Sequence, residues 1–218
     1  MQSHTDEVYL AIYEKILDGT YGPGEKLHIA KLAGLFGVAL SPIREALSRL
    51  IATGLVISES QRGFKVAPIS KEDLQDIYTT RVLVEQAALE RSIKLGDQNW
   101  EANLVAAFHR LSHIEKKIEV DSLKKYKEWE KLHREFNMAL ISACGLKHLL
   151  LIQEKLYQQT ERYRRVWFFA GLEKGNILIF SRKQKGIMEA ALARNGRKAS
   201  ELLEKHFEEA QKMILKSF

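Results

Sequence analysis

Strand-forming sequence in this 218-residue chain is confined to one short stretch, and that restriction does most to limit its fold. Leu55-Val56-Ile57 and Phe64-Lys65-Val66 flank Gln61-Arg62-Gly63, the composition of a small β-hairpin. Elsewhere apolar residues recur at helical spacing. Val8, Ala11, Ile12 and Ile16 make a first stripe that Asp18-Gly19 ends, and Tyr21-Gly22-Pro23-Gly24-Glu25 is a turn by composition. Ile29, Leu32, Ala33 and Phe36 form a second short helix with Gly37 as its stop. Ser41 reads as an N-cap and Pro42 as a first helical residue. Ile43, Ala46, Leu47 and Leu50 then face inward, leaving Arg44, Glu45, Ser48 and Arg49 outward, and Gly54 closes the helix. Three short helices followed by a hairpin predict a winged helix-turn-helix, which sets the N-terminal end of its last helix in the DNA major groove. A generic helical bundle with a β appendage is the alternative on spacing alone.

After Pro68 only helical patterns follow. Ser70-Lys71-Glu72-Asp73 has the form of a capped start, a serine with an acid three residues on. Helices are predicted near 71–95, 99–119, 122–144, 146–169, 177–194 and 197–216, separated by glycine, asparagine and aspartate breaks. The expectation is a mainly α protein of two domains. Residues 1–68 form the winged helix-turn-helix with its hairpin wing, and residues 69–218 form an all-α antiparallel bundle.

Charge does not locate a nucleic-acid surface. The net charge is +6, yet residues 1–68 carry seven basic and seven acidic side chains, leaving 27 of the 34 Lys/Arg and 21 of the 28 Asp/Glu downstream. The single cysteine, Cys144, excludes an intramolecular disulfide and fits a reducing compartment. A polar, acidic N-terminus and the absence of any apolar run near ~20 residues predict a cytoplasmic protein with no membrane partner.

Some polar residues fall on apolar stripes. Arg81 lies within the stripe Leu74, Ile77, Val84 and Ala88, as an internal ion pair with Glu85 or as a clamp for an anionic ligand. Trp129, His133, Phe136 and Leu140 share one helical face, and Ala199, Leu203, His206, Ala210 and Met213 share another. Two histidines on different helices are weak evidence for a metal. The aromatic-basic run Tyr163–Phe169 either lines a pocket or covers a dimer contact.

Pro23-Gly24-Glu25-Lys26-Leu27, Leu32-Ala33, Gly37-Val38, Pro42-Ile43-Arg44-Glu45-Ala46-Leu47, Gly54-Leu55-Val56 and Arg62-Gly63-Phe64-Lys65-Val66 resemble the DNA-binding domain of the GntR family across residues 8–68. The resemblance implies that Arg44 contacts bases or phosphate, with Glu45 on the same face. Ser41 and Pro42 at the helix start would anchor phosphate, and Arg62 with Gly63 would form the wing tip. Arg49 is either a phosphate contact or a solvated charge. The family usually has Ser-Arg-Thr before the proline, where this chain has Ala39-Leu40-Ser41. Leu40 therefore replaces an arginine that helps hold DNA, and one lost phosphate contact flattens the salt dependence of binding.

Downstream, Arg81-Val82-Leu83-Val84-Glu85, Leu132-His133-Arg134, Ser142-Ala143-Cys144-Gly145, Ile187-Met188-Glu189-Ala190-Ala191 and His206 resemble the FadR subfamily of these regulators, whose helical domain is called FCD. Many members hold a divalent metal through one aspartate and three histidines. His133 and His206 match, but Trp129 stands at the aspartate position and Gln184 at the middle histidine; Glu130 points about 100° away. No cofactor is therefore expected; Zn or Ni, if held, would rest on His133 and His206. What the resemblance implies instead is a small organic acid or acyl-type effector. Arg81 with Arg162 or Arg164 would clamp it, His133, Gln184 and His206 would hydrogen-bond it, and Trp129 would give it a flat surface. The expected protein is a homodimer on double-stranded operator DNA, a repressor relieved by ligand, and not an enzyme. An effector-independent or structural DNA-binding protein is the alternative, and a metal-dependent helical enzyme a remote one.

Overall fold

The computed structural model describes residues 4–59, 63–116, 123–169 and 174–216. The chain is mainly helical and divides into two compact units. Unit 1 comprises Met1–Asp73 together with Gln158–Arg165; unit 2 comprises Leu74–Tyr157 and Val166–Phe218. Among the described residues, no helix is long and apolar enough to cross a membrane.

Unit 1 contains α1 (His4–Leu17), β1 (Lys26–Leu27), α2 (Ile29–Phe36), α3 (Leu40–Thr53), β2 (Val56–Glu59) and β3 (Gly63–Val66). The hairpin pairs antiparallel with Val56 opposite Val66 and Glu59 opposite Gly63. A third strand, β1, was not anticipated: two residues carry no readable alternation, yet Leu27 pairs with Phe64 on the other edge of β3. The 21–25 turn is bonded to the same strand, Gly24 N–H to Val66 O and Val66 N–H to Glu25 O. The inward stripe of α3 is as expected, with Ile43, Ala46, Leu47 and Leu50 closed off from solvent against Ile12, Leu32 and Leu55. Burying each such side chain contributes ~1.5–3 kcal/mol before entropy is counted. Gly37 ends α2 in the left-handed conformation at φ +64. The start of α3 differs from the sequence reading. Its N-cap is Ala39, with no side-chain cap, so Ser41 and Pro42 lie inside the first turn, where a proline still removes no helical hydrogen bond.

Unit 2 holds α4 (Lys71–Leu95, from Leu74), α5 (Gln98–Glu115), α6 (Leu123–Ile141), α8 (Lys174–Leu192) and α9 (Gly196–Leu215). The remaining helix, α7 (Lys147–Phe169), is continuous, and its residues 158–165 group with unit 1. Asp97 caps α5 by accepting from Trp100 N–H, and Asn195 caps α9 by accepting from Lys198 N–H. Ser70 caps α4 as its sequence suggested, accepting from Asp73 N–H at 3.0 Å. Within unit 2, α5 packs on α6 and α8, and α8 packs on α9. Two stripes are redrawn. Glu85 is buried beside Arg81 while Val84 is only partly covered, and Phe207 and Ile214 take the inward places expected of Ala210 and Met213.

Gly54 ends α3 at φ +80, and a Cβ there would meet the Gln159 side-chain amide of α7 at 2.0 Å. That flexible amide can swing aside, so the cost of a side chain is mainly the left-handed backbone, ~1–2 kcal/mol. Gly54→Ala is expected to lower the melting temperature by roughly 3–6 °C, read by circular dichroism.

Candidate functional site

On unit 1 the outward face of α3 carries Ser41, Arg44, Glu45, Ser48 and Arg49, all exposed, with Pro42 partly so. These side chains are not equivalent. Arg49 donates to Asp6 at 2.7 Å and lies 4.4 Å over the Tyr9 ring, so α1 already engages its charge. Glu45 accepts from Thr5 Oγ1 at 3.3 Å. Arg44 makes no hydrogen bond or ion pair among the described residues. Its guanidinium, a rigid fork of donors, is open to an outside acceptor. Leu40 is 50% exposed at the head of the same helix, an apolar surface where charge would be useful against phosphate. At the wing, Gly63 is exposed with φ +86, and Lys65 pairs with Glu59 across the hairpin. Arg62 lies outside the described residues.

Residues 160–163 of α7 form a second feature of unit 1, which sequence reading missed. Tyr13 OH donates to Glu161 at 2.5 Å. Arg162 donates to Ala67 O at 2.9 Å and pairs with Asp73 at 3.0 Å. Tyr163 OH donates to Asp73 at 2.5 Å and accepts from Ser70 N–H at 3.2 Å. Burial and that bond to Asp73 push the Tyr163 hydroxyl up to about 12, so it remains a donor at every physiological pH. Three side chains of α7 thus grip α1 and the 67–73 linker. Arg164 is also buried and donates to Thr160 at 2.6 Å. Arg162 and Arg164, expected at the effector, therefore belong to unit 1, where the protein's own acceptors engage them.

The interior of unit 2 brings together the other expected residues along a chain of contacts. Arg81 is buried and pairs with Glu85 at 2.7 Å, with its guanidinium 4.5 Å over the Phe207 ring and 5.4 Å over Tyr157. Of the two readings of Arg81, the geometry is that of the internal ion pair. Gln153 donates to the same Glu85 oxygen at 3.4 Å. Four residues on, Tyr157 OH meets His133 Nδ1 at 2.8 Å. The His133 ring stacks on Trp129, centroids 4.9 Å apart at 25°. Trp129 Nε1 donates to Glu115 at 3.3 Å, and Ser181 also hydrogen-bonds that carboxyl. Gln184 is one turn further along α8 and is 1% exposed. His206 is buried beside Phe207, its ring pushed down to about 3 by burial, with the Arg81 and Lys183 charges adding to the effect. It is therefore neutral.

Glu115 was overlooked, although a signal existed: it continues the α5 stripe Leu104, Ala107, Leu111 at helical spacing. Burial pushes its carboxyl up to about 7. Trp129, at the position where the resemblance implies an aspartate ligand, stacks face-on against His133. Among the described residues, no group of three or more His, Cys, Asp or Glu is placed to hold an ion.

The two shifted groups act oppositely on stability. A raised carboxyl pKa contributes stability that is full below about 4.5 and lost as pH rises through 7; a depressed histidine contributes stability above its ordinary 6.5 that is lost as pH falls. Glu115→Gln is therefore expected to gain stability relative to the parent on going from pH 4.5 to pH 8, by up to about 3 kcal/mol in urea titrations. An unchanged difference would mean that Glu115 titrates normally.

Comparison with known proteins agrees with this architecture. Residues 4–66 match the family model of bacterial regulatory proteins of the gntR family, and residues 76–209 match the FCD domain. The uncharacterized HTH-type transcriptional regulator BphR of Paraburkholderia xenovorans is 33% identical over 98% of this chain and 86% of its own length. The HTH-type transcriptional repressor GlaR of Escherichia coli is 34% identical over 91% of this chain and 90% of its own. In fold, the chain resembles E. coli McbR/YncC with a TM-score of 0.78 at 18% identity, covering 99% of each chain. It also resembles a GntR regulator from Rhodococcus with a TM-score of 0.74 at 22% identity, covering 98% of each. These relatives and folds are those of regulators, not enzymes. The chain belongs to the GntR family of DNA-binding transcriptional regulators, in the class that joins the winged helix-turn-helix to an FCD domain.

Proposed function

We propose that this regulator is a ligand-responsive repressor that acts as a two-fold dimer on a short pseudo-palindromic operator. The observation that carries the DNA-reading half is the outward face of α3, where Arg44 projects without a partner among the described residues while Arg49 is engaged by α1. An arginine in that position reads guanine through a bidentate pair worth ~1–3 kcal/mol of discrimination. Two such helices on a dimer fall about one DNA turn (~34 Å) apart. Repression is favoured by the relative GlaR, which is described as a repressor.

The sensing half rests on the polar interior of unit 2 and on α7. That helix carries Tyr157, the partner of His133, and five and six residues later Arg162 and Tyr163, which grip the 67–73 linker. A ligand that repositions Tyr157 moves the same rigid helix that holds the linker. It alters operator affinity only through its differential affinity for the two arrangements, typically ~1–3 kcal/mol. The expected acid clamp is the less supported form of this reading, because Arg81 is answered by Glu85, and Arg162 and Arg164 are engaged within unit 1.

The test begins with duplexes selected by the full-length protein from a random-sequence library. Arg44→Ala is expected to weaken binding to the selected site at least tenfold and to relax base preference at one position of each half-site. Leu40→Arg is expected to tighten binding to selected and unrelated DNA alike and to steepen the slope of log affinity against log salt by ~1 per subunit. Selection that returns no enriched sequence, or an Arg44→Ala protein with undiminished affinity, contradicts the proposal.

A further inference from the structure

Buried polar atoms are almost always hydrogen-bonded, and leaving one open costs ~1–3 kcal/mol. Unit 2 departs from that rule at several side chains, the Ser92 and Ser200 hydroxyls among them, and most fully at Gln184. Gln184 is 1% exposed, and neither its amide oxygen nor its amide nitrogen has a hydrogen-bond partner among the described residues. Whichever way that amide is turned, both ends are open. Gln153 Oε1 and Glu115 Oε2 are likewise buried and unbonded. The three residues belong to the interior already traced. Glu115 is linked to Ser181, one turn before Gln184 on α8, and through Trp129 and His133 to Tyr157, one turn after Gln153 on α7.

At Gln184, Gln153 and ionised Glu115 the open atoms are three acceptor oxygens and one amide donor. The charges nearby do not favour an anion. Arg81 is paired with Glu85 and Lys183 with Glu209, His206 is held neutral, and Glu115 is itself an acid. A carboxylate ligand brings only acceptors and would set its charge against acceptor oxygens. A primary amide brings two N–H donors and one acceptor, and pairs edge to edge with a glutamine amide.

We infer that the interior of unit 2 binds a small uncharged molecule that donates hydrogen bonds through a carboxamide or a similar N–H group, with Gln184 as its principal partner. The inference rests on the sensor reading above and replaces the organic acid in it with a neutral hydrogen-bond donor. Gln184 is a binding residue here, and the strain of its unpaired amide is the part of the stability that the ligand restores.

The test uses matched probes on the full-length protein at pH 7.5: succinamide against succinate, glutaramide against glutarate, and benzamide against benzoate. Binding is read by saturation-transfer NMR and calorimetry, alongside the melting temperature of the ligand-free protein. At least one amide is expected to bind, tenfold or more tightly than its acid. Gln184→Met, equal in length and apolar, is expected to abolish that binding and to raise the ligand-free melting temperature by a few degrees. An acid that binds more tightly than its amide, with amide binding unaffected by Gln184→Met, overturns the inference and leaves the sensor reading standing. If no probe binds and Gln184→Met lowers the melting temperature, the amide is satisfied within the protein and the inference falls.

Discussion

Arg81 is a permanent charge removed from water, and the interior of unit 2 is arranged around answering it. An unpaired buried guanidinium is not tolerated at any reasonable cost, so Glu85 one turn away is buried with it, and aromatic faces of Phe207 and Tyr157 cover the rest. The pair has consequences beyond its own energy, which for buried ion pairs is often near zero against an apolar alternative. It cancels the positive charge that an anionic ligand would need. It supplies the Glu85 oxygen that orients Gln153. The character of the interior, polar but not cationic, follows from that pairing.

The other constraint is mechanical. Helix α7 is one uninterrupted element, and its residues are shared between the two units. Its Tyr157 belongs to the polar interior, and Glu161, Arg162 and Tyr163 are bonded to α1 and to the segment that leads into α4. Because Asp73 receives both Arg162 and Tyr163, the linker is held by two charge-assisted bonds rather than by apolar contact alone. Such a grip has direction, which an apolar surface lacks.

Much of this was legible beforehand. The α3 stripe, the hairpin, the Ser70 cap and helices α4 to α9 follow from periodicity and from the glycine, asparagine and aspartate breaks, because each is a local property. What escaped the reading was not local. Strand β1 exists only because Leu27 finds Phe64 across β3. Ser41 looks like a cap, but the backbone turns at Ala39, two residues earlier. Arg162 and Arg164 read as inward-facing, which they are; the helical period does not reveal which unit their segment joins. In the site, the loss of two metal-ligand types at Trp129 and Gln184 was visible in the sequence. The surplus of unbonded acceptors around Glu115 and Gln153 required the assembled helices.

In the proposed mechanism, occupancy of unit 2 changes how α3 engages DNA. The direct measurement is the operator dissociation constant, by fluorescence anisotropy on the selected duplex, with and without a saturating concentration of a molecule shown by calorimetry to bind the Gln184 site. The expected result is a weakening of ~5- to 150-fold, the span of ordinary allosteric coupling. An identical constant in both conditions, with the molecule demonstrably bound, would contradict it.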